Sequence, residues 1–508
     1  MLPIESDFET KFTFETEATS IADDSPFKIL LLGDWSGSRV KTDLLQRQPI
    51  EIDRDNFDDV MKLLKVNVEL DLFDNESDIT TLSFGEMEDF HPDKIYKCVS
   101  HFAALNNLRQ RLLDKNTFEK AAQDARLFFN QTVIKSSQEF ASESVSNISS
   151  ETDSKNLLDR ILSQSPETTA SPASRQSQSN EIRDLLRESL EPFLIKIDEN
   201  EQSKLLNAID TSIGELMRKI LHYPYFQNLE SAWRALSFTV RQIDTSADLK
   251  VYILDVTKDE LSSNLKHVSN LADTFLYRIL FSEAENNTES SPWSLIGGNF
   301  SFDCNLEDIA ALIRIAKLFA SAEVPFISSM RPETLNISSF EDSDENIILA
   351  DSEARKLWTT LRSLPESQYL GLTIPCYLAR LPYGLDTDPI DSFTFEEFES
   401  YPKLDDYLWS NPCFICVILM AQTFEKYGWN PGETYVQDLE GLPFHIFQVD
   451  GETKTKPCLE TPMNLKVCQN TLDLGLMPLF SPGNADRVRL ARFQSIAFPH
   501  KPLRGKWN

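Results

Sequence analysis

The side chains of this 508-residue chain that are able to do chemistry are scattered. Six histidines stand at His91, His101, His222, His267, His445 and His500. No two have metal-ligand spacing, and HExxH is absent. Cys98 and His101 are three apart on an expected helix, which would bring them side by side. Nothing nearby in sequence would orient that imidazole, so chance spacing in a core stripe is the favoured reading. Cys413-Phe414-Ile415-Cys416 is a lone CxxC inside an apolar run, and structural thiols are favoured over redox or metal chemistry. Gly33 and Gly37 follow an apolar run, yet neither GxxxxGK[ST] nor GxGxxG occurs, so a phosphate cradle is not expected. There is no GxSxG elbow. Acidic pairs (Asp58-Asp59, Glu396-Glu397, Asp405-Asp406) are common in a chain with 80 acids and are expected on solvated faces. The reading is therefore of no catalytic residue, no cofactor and no metal. A pair that only folding brings together leaves no mark in a sequence.

Composition narrows the classes further. Hydrophobic residues make up 41% of the chain, enough for a core without metals or disulfides. Its length favours more than one domain. The formal net charge of −31 opposes binding to nucleic acid or to anionic lipid. Seven cysteines do not make a disulfide framework. No apolar stretch is long enough to span a bilayer, and the start of the chain has no secretory pattern, so a cytoplasmic setting is expected.

The elements that would position side chains form two groups. Residues 1–25 are an acidic extended arm punctuated by Phe8, Phe12 and Phe14. Residues 26–125 read as a small αβ domain. Its strand is Pro26 to Gly33, and a helix near Asp53–Asn56 is capped by Asp53 or Asp55. A second strand covers Asp78 to Phe84. One helix is expected over 92–118, with Ile95, Val99, Phe102, Leu105, Leu108 and Leu112 on its apolar stripe. Residues 126–180 are a serine-rich flexible linker. Residues 181–508 form the second αβ domain, in which helices alternate with strands near 249–254, 294–297, 325–328 and 369–374. That alternation points to a largely parallel sheet covered on both faces. The first 25 residues hold seven acids, and the last 22 hold six bases (Arg487, Arg489, Arg492, Lys501, Arg504, Lys506) and no acid. Opposed termini suit head-to-tail contacts between copies, although two solvated tails fit equally well.

Several stretches resemble the two sheath proteins of type VI secretion systems, joined in one chain. Pro26-Phe-Lys-Ile-Leu-Leu-Leu-Gly-Asp-Trp-Ser-Gly37, Ile50-Glu-Ile-Asp-Arg-Asp-Asn-Phe-Asp-Asp-Val-Met61 and Met87-Glu-Asp-Phe-His-Pro-Asp93 resemble the small subunit. His222-Tyr-Pro-Tyr-Phe-Gln-Asn-Leu-Glu-Ser-Ala-Trp-Arg-Ala-Leu236, Leu295-Ile-Gly-Gly-Asn-Phe300, Tyr369-Leu-Gly-Leu-Thr-Ile-Pro375 and Arg380-Leu-Pro-Tyr-Gly384 resemble the large one. Asp438 to Pro443 and Leu474 to Leu479 do so too. Large subunits of that family continue well past the region matched by Ser495 to Lys501, so the second part is expected to be shortened.

The resemblance implies an α/β fold with two αβ lobes of the contractile tail sheath type, and no catalytic residue. It implies a structural part in a sheath around an inner tube, helping drive effector delivery. A non-polymerising adaptor, collar or cap on sheath or baseplate ends is the alternative. Implied partners are other copies or sheath subunits, the inner tube protein, baseplate proteins and an AAA+ disassembly ATPase. The implied place is the bacterial cytoplasm, within a membrane-anchored apparatus and without membrane insertion. The arm at residues 5–17 is expected to become ordered by adding a strand to another chain, its acids meeting a neighbour's Arg487, Arg489 and Arg492.

Overall fold

The computed structural model describes residues 25–37, 42–72, 79–127, 199–268, 270–286, 293–331, 352–398, 404–432, 434–449, 451–461, 463–481 and 485–507. The expected arm up to residue 24 and almost all of the expected linker lie outside the described residues.

In the first part come β1 (Phe27–Gly33), β2 (Ile50–Glu51) and a hairpin of β3 (Asn67–Asp71) and β4 (Ile79–Ser83). The later part adds β5 (Leu249–Asp255), β6 (Leu295–Phe302), β7 (Phe326–Met330) and β8 (Leu370–Ile374). A short pair, β9 (Tyr377–Leu378) and β10 (Trp409–Ser410), precedes β11 (Asp438–Leu439). A hairpin of β12 (His445–Val449) and β13 (Glu452–Lys456) leads to β14 (Met477–Phe480) and β15 (Val488–Leu490).

Nine of these strands make one sheet in the order β11-β15-β14-β8-β7-β6-β1-β5-β2. The six strands from β14 to β5 in that order run parallel. β2, β15 and β11 pair antiparallel at the two ends. The expected parallel sheet is therefore present, and its centre is made by both parts of the chain. β1 pairs on one side with β5, from Phe27 with Leu249 to Gly33 with Asp255, and on the other with β6.

The apolar run explains that central position. Ile29, Leu30, Leu31 and Leu32 are all buried, as a strand covered on both faces requires. Phe27, Ile29 and Leu31 enter one core with Trp233, Leu236 and the apolar residues of helix Cys413–Tyr427. Leu30 and Leu32 enter the other core, with Leu261, Leu276, Leu312 and Ile315. Each such side chain contributes roughly 1.5–3 kcal/mol by burial. Withdrawing β1 would expose all of them and unpair the backbones of two neighbours.

The rest of the first part packs on the helices Glu199–Leu221 and Pro224–Gln242. Phe57 meets Trp233 edge-on at 5.4 Å, and Phe84 and Phe90 meet Phe226 at 6.0 and 5.9 Å. Arg109 Nε donates to Asp210 Oδ1 at 2.7 Å. Helix Phe57–Leu64 has Asn56, not Asp53 or Asp55, at its N-cap. Asp53 Oδ1 instead accepts from the Asp55 and Asn56 amides, forming the turn before the helix. The single helix expected over 92–118 is two helices, Pro92–Cys98 and Ser100–Leu113. Val99 between them is extended (φ −83°, ψ 120°) and 1% exposed. The break lets the stripe residues on both sides stay buried while the chain changes direction. Among the described residues no helix is long and apolar enough to cross a membrane.

Candidate functional site

Among the described residues, a cluster of buried charge joins helix Pro224–Gln242 to the loop after β9. Glu230 lies on the buried side of that helix, one turn before Arg234, and is 0% exposed. Arg380 follows β9, and Glu397 follows the loop that Arg380 opens. Arg380 Nε donates to Glu230 Oε1 at 2.8 Å. Its Nη1 and Nη2 donate to the two oxygens of Glu397 at 2.7 and 3.1 Å, a fork-on-fork pair. Arg234 Nε donates to the same Glu230 oxygen at 2.7 Å, and its Nη2 donates to the Tyr383 hydroxyl at 2.9 Å. The Tyr383 amide donates to Glu397 Oε2 at 2.8 Å. His222 Nε2 lies 3.4 Å from Glu397 Oε1, and the Arg380 guanidinium lies over the Tyr383 ring at 4.3 Å.

Two carboxylates and two guanidiniums balance, which is what allows them inside. Burial by itself would push the Glu397 carboxyl up. The charge of Arg380, with hydrogen bonds from Arg380 and the Tyr383 amide, outweighs it and holds the group down at about 2. Burial pulls Arg380 down, but Glu230 and Glu397 raise it well above its ordinary value. Burial pushes the Tyr383 hydroxyl up. A base that stays ionised, an arginine that cannot give up its proton and a phenol that keeps its own make a lock, not a proton relay.

The other concentration of charge is the crest, where β1, β5 and β6 end. Open parallel sheets bind ligands at this edge, next to a switch in strand order. Here the chain's own side chains lace it together. Asp255 Oδ1 accepts from the Trp35 and Ser36 amides at 2.8 and 3.1 Å, and Oδ2 accepts from the Ser36 hydroxyl at 2.8 Å. Arg47 donates to the Asp255 carbonyl at 2.8 Å and pairs with both oxygens of Glu260 at 2.9 and 2.5 Å. Lys258 donates to Asp308 Oδ2 at 2.8 Å and to the Ser301 carbonyl at 2.7 Å. Trp233 Nε1 donates to the Trp35 carbonyl at 2.9 Å, tying the crest turn to the same helix that carries Glu230. Gly37 closes that turn at φ +64°, where a Cβ would lie 2.3 Å from the Asn67 carbonyl oxygen. Gly33 and Gly37 thus serve a turn against protein, not a phosphate.

The other flagged residues separate. Cys413 and Cys416 are both 0% exposed on helix Cys413–Tyr427, and burial pushes Cys416 up to about 12 and Cys413 well above its ordinary value. Cys98 is exposed and ends one helix, while His101 lies on the next, so the helical spacing that would pair them is broken. Asp58 and Asp59 sit in the first turn of their helix, where its dipole favours acids. Glu396 and Glu397 correct the expectation of solvated pairs. Glu396 accepts from the Leu385 amide, whereas Glu397 is 2% exposed at the ionic centre. His91 is the N-cap of helix Pro92–Cys98, accepting from the Asp93 amide at 3.2 Å. Among the described residues no group of three or more His, Cys, Asp or Glu is arranged to hold a metal ion. Arg487 and Arg489 already pair within the chain, with Glu440 at 4.0 Å and Asp438 at 2.6 Å.

The Glu230–Arg380–Glu397 centre left little mark in the sequence. The available signal was a Glu and an Arg one helical turn apart, Glu230 and Arg234, inside a stripe of Phe226, Leu229, Trp233 and Leu236.

Residues 203–497 match the family described as EvpB/VC_A0108, tail sheath N-terminal domain. Residues 8–142 match the family described as type VI secretion system, VipA, VC_A0107 or Hcp2. The type VI secretion system sheath protein TssC1 of Pseudomonas aeruginosa is 29% identical over 341 residues, covering 64% of this chain and 68% of that protein. Glu230, Arg380 and Glu397 all fall within the first match, and β1 within the second.

Proposed function

The chain belongs to the type VI secretion tail-sheath family, carrying a VipA-like first part and a VipB-like second part, and we propose that it is a one-chain sheath building block. It is a structural component of a type VI secretion-like contractile assembly. The observation that carries the building-block reading is the place of β1, between β5 and β6 at the centre of the sheet. The nine-stranded sheet is incomplete without either part, so joining them in one chain delivers both in equal number and at high effective concentration.

On this reading the chain takes the two-lobed form of the contractile sheath, with the ionic centre and the laced crest keeping the unit rigid. Rigid units that repack against one another are what a lattice with two discrete states requires. Copies of the chain or other sheath subunits, the inner tube protein, baseplate proteins and a disassembly ATPase are its partners, on the cytoplasmic side of a membrane-anchored apparatus. Electron microscopy of the purified chain, alone and with a type VI inner tube protein, tests this. Filaments or tubes support the sheath. Discrete particles, or caps on the ends of a sheath made of other subunits, would replace it with the adaptor reading.

A further inference from the structure

At the end of the sheet opposite the crest, the last described residues cross from β8 to β1. The Ser495 amide and hydroxyl both donate to the Lys501 carbonyl, at 3.0 and 2.9 Å, and close a loop. The Arg504 amide then donates to the Gln368 carbonyl at 2.9 Å, just before β8, with its guanidinium over Tyr369 at 5.7 Å. Leu503 is buried among the core residues. Burial draws Lys506 down to about 8, beside Glu323 in the turn before β7 and Lys28 on β1. Trp507, 7% exposed, stacks on Phe27 at 6.0 Å.

Phe27 is the first residue of β1. Its ring also meets Phe424 at 4.8 Å and Trp429 at 5.4 Å. Trp429 Nε1 donates to the Ser25 carbonyl at 2.9 Å, holding the backbone two residues before β1. The segment therefore ends on the aromatic cluster that holds the entry to β1. It lies outside any helix or strand: Leu503, Gly505 and Trp507 are buried and Lys506 is half-buried, while Lys501, Pro502 and Arg504 are exposed.

We propose that residues 501–507 are a strap that opens locally, ahead of the sheet, and that its docking through Trp507 on Phe27 sets how firmly the entry to β1 and the chain leading into it are held. Buried anchors that alternate with exposed residues, outside the regular elements, are the physical marks of a segment that opens below the global unfolding free energy. The strap acts on one end of one strand, because Trp507 meets β1 at its first residue, Phe27. Any consequence for assembly rests on the building-block reading, whereas the strap itself does not.

Hydrogen exchange followed by mass spectrometry on the full-length chain tests it. In the wild type, peptides covering 501–507 should exchange faster than those covering 251–254. In Trp507→Ala, exchange over 26–29 should rise on the order of tenfold, with 251–254 and 295–302 changed less than twofold. Phe498→Ala removes an exposed ring that lies over Arg362 and should leave 26–29 unchanged. Exchange over 26–29 that ignores Trp507→Ala overturns the proposal, and so does a rise spread evenly over all sheet strands. If that variant does not fold, the wild-type comparison decides: protection of 501–507 equal to that of 251–254 would mean core, not strap. Sedimentation of the same variant with the inner tube protein reads the effect on assembly separately, so failure of the building-block reading leaves the exchange result standing.

Discussion

The ionic centre below the sheet and the crest at its strand ends use the same side chains under different exposure. At the centre, Arg380, Glu230 and Glu397 are 6%, 0% and 1% exposed at the side chain. At the crest, Arg47 is nearly as buried at 7%, but its partner Glu260 is 29% exposed. A charge pair sealed from water has no substitute partner once broken, whereas one with a wet carboxylate does. Charge at the centre therefore locks helix Pro224–Gln242 to the 380–397 loop at high stakes. Charge at the crest closes a place where related architectures bind ligands, at lower stakes.

This contrast is open to measurement, and the largest effect is expected at the centre. Arg380→Ala leaves Glu230 with Arg234 alone and the buried Glu397 with no arginine, and should cost about 3–5 kcal/mol in denaturant unfolding. A loss below about 1 kcal/mol would mean that water reaches the site and that the contrast is false. The second effect is in acid. The folded Glu397 pKa lies below its unfolded value of 4.5, at about 2. Its stabilisation is present in full above the unfolded value and is lost as pH falls toward about 2. Glu397→Gln should be less stable than wild type at pH 6, and the gap should narrow steadily toward pH 2–3. A gap that does not change with pH would show that Glu397 titrates alike folded and unfolded.

Arg47→Ala should come third, at about 1–2 kcal/mol, since Glu260 keeps its capping-box bonds with Thr257 and regains water. A loss equal to that of Arg380→Ala would erase the difference between the two regions. The smallest effect belongs to the rim. Arg489 and Asp438 are 47% and 40% exposed, and Arg489→Ala should cost less than about 1 kcal/mol, with the effect shrinking further in high salt. Salt-insensitive destabilisation there would mean that Arg489 matters through its carbon stem on β15 rather than through its charge.

The intrachain pairing of Arg487 and Arg489 also changes the expected contact between opposed termini. An acidic arm from a neighbour would have to share or displace Glu440 and Asp438. Backbone pairing and phenylalanine burial would then have to supply what charge does not.

Much of this protein was legible from the sequence alone. The unbroken apolar run from Ile29 to Leu32 required a strand covered on both faces, and the alternation of helices and strands after residue 224 required a parallel sheet. The motif residues around His222–Leu236 and Arg380–Gly384 pointed to the family. These are local patterns, and local patterns are written in consecutive residues. The tertiary structure alone decided that β1 would lie between β5 and β6, since periodicity states that a strand is buried but not which strands flank it. It alone decided that Glu397, next to Glu396 and one of 80 acids, would turn inward to an arginine 17 residues earlier in the chain. Val99 broke a helix that spacing made continuous, because burying its stripe on both sides of a change in direction outweighed one more turn. The cost of an unpaired buried charge made the ionic centre all-or-none, and that cost depends on distances in space that no spacing in sequence encodes.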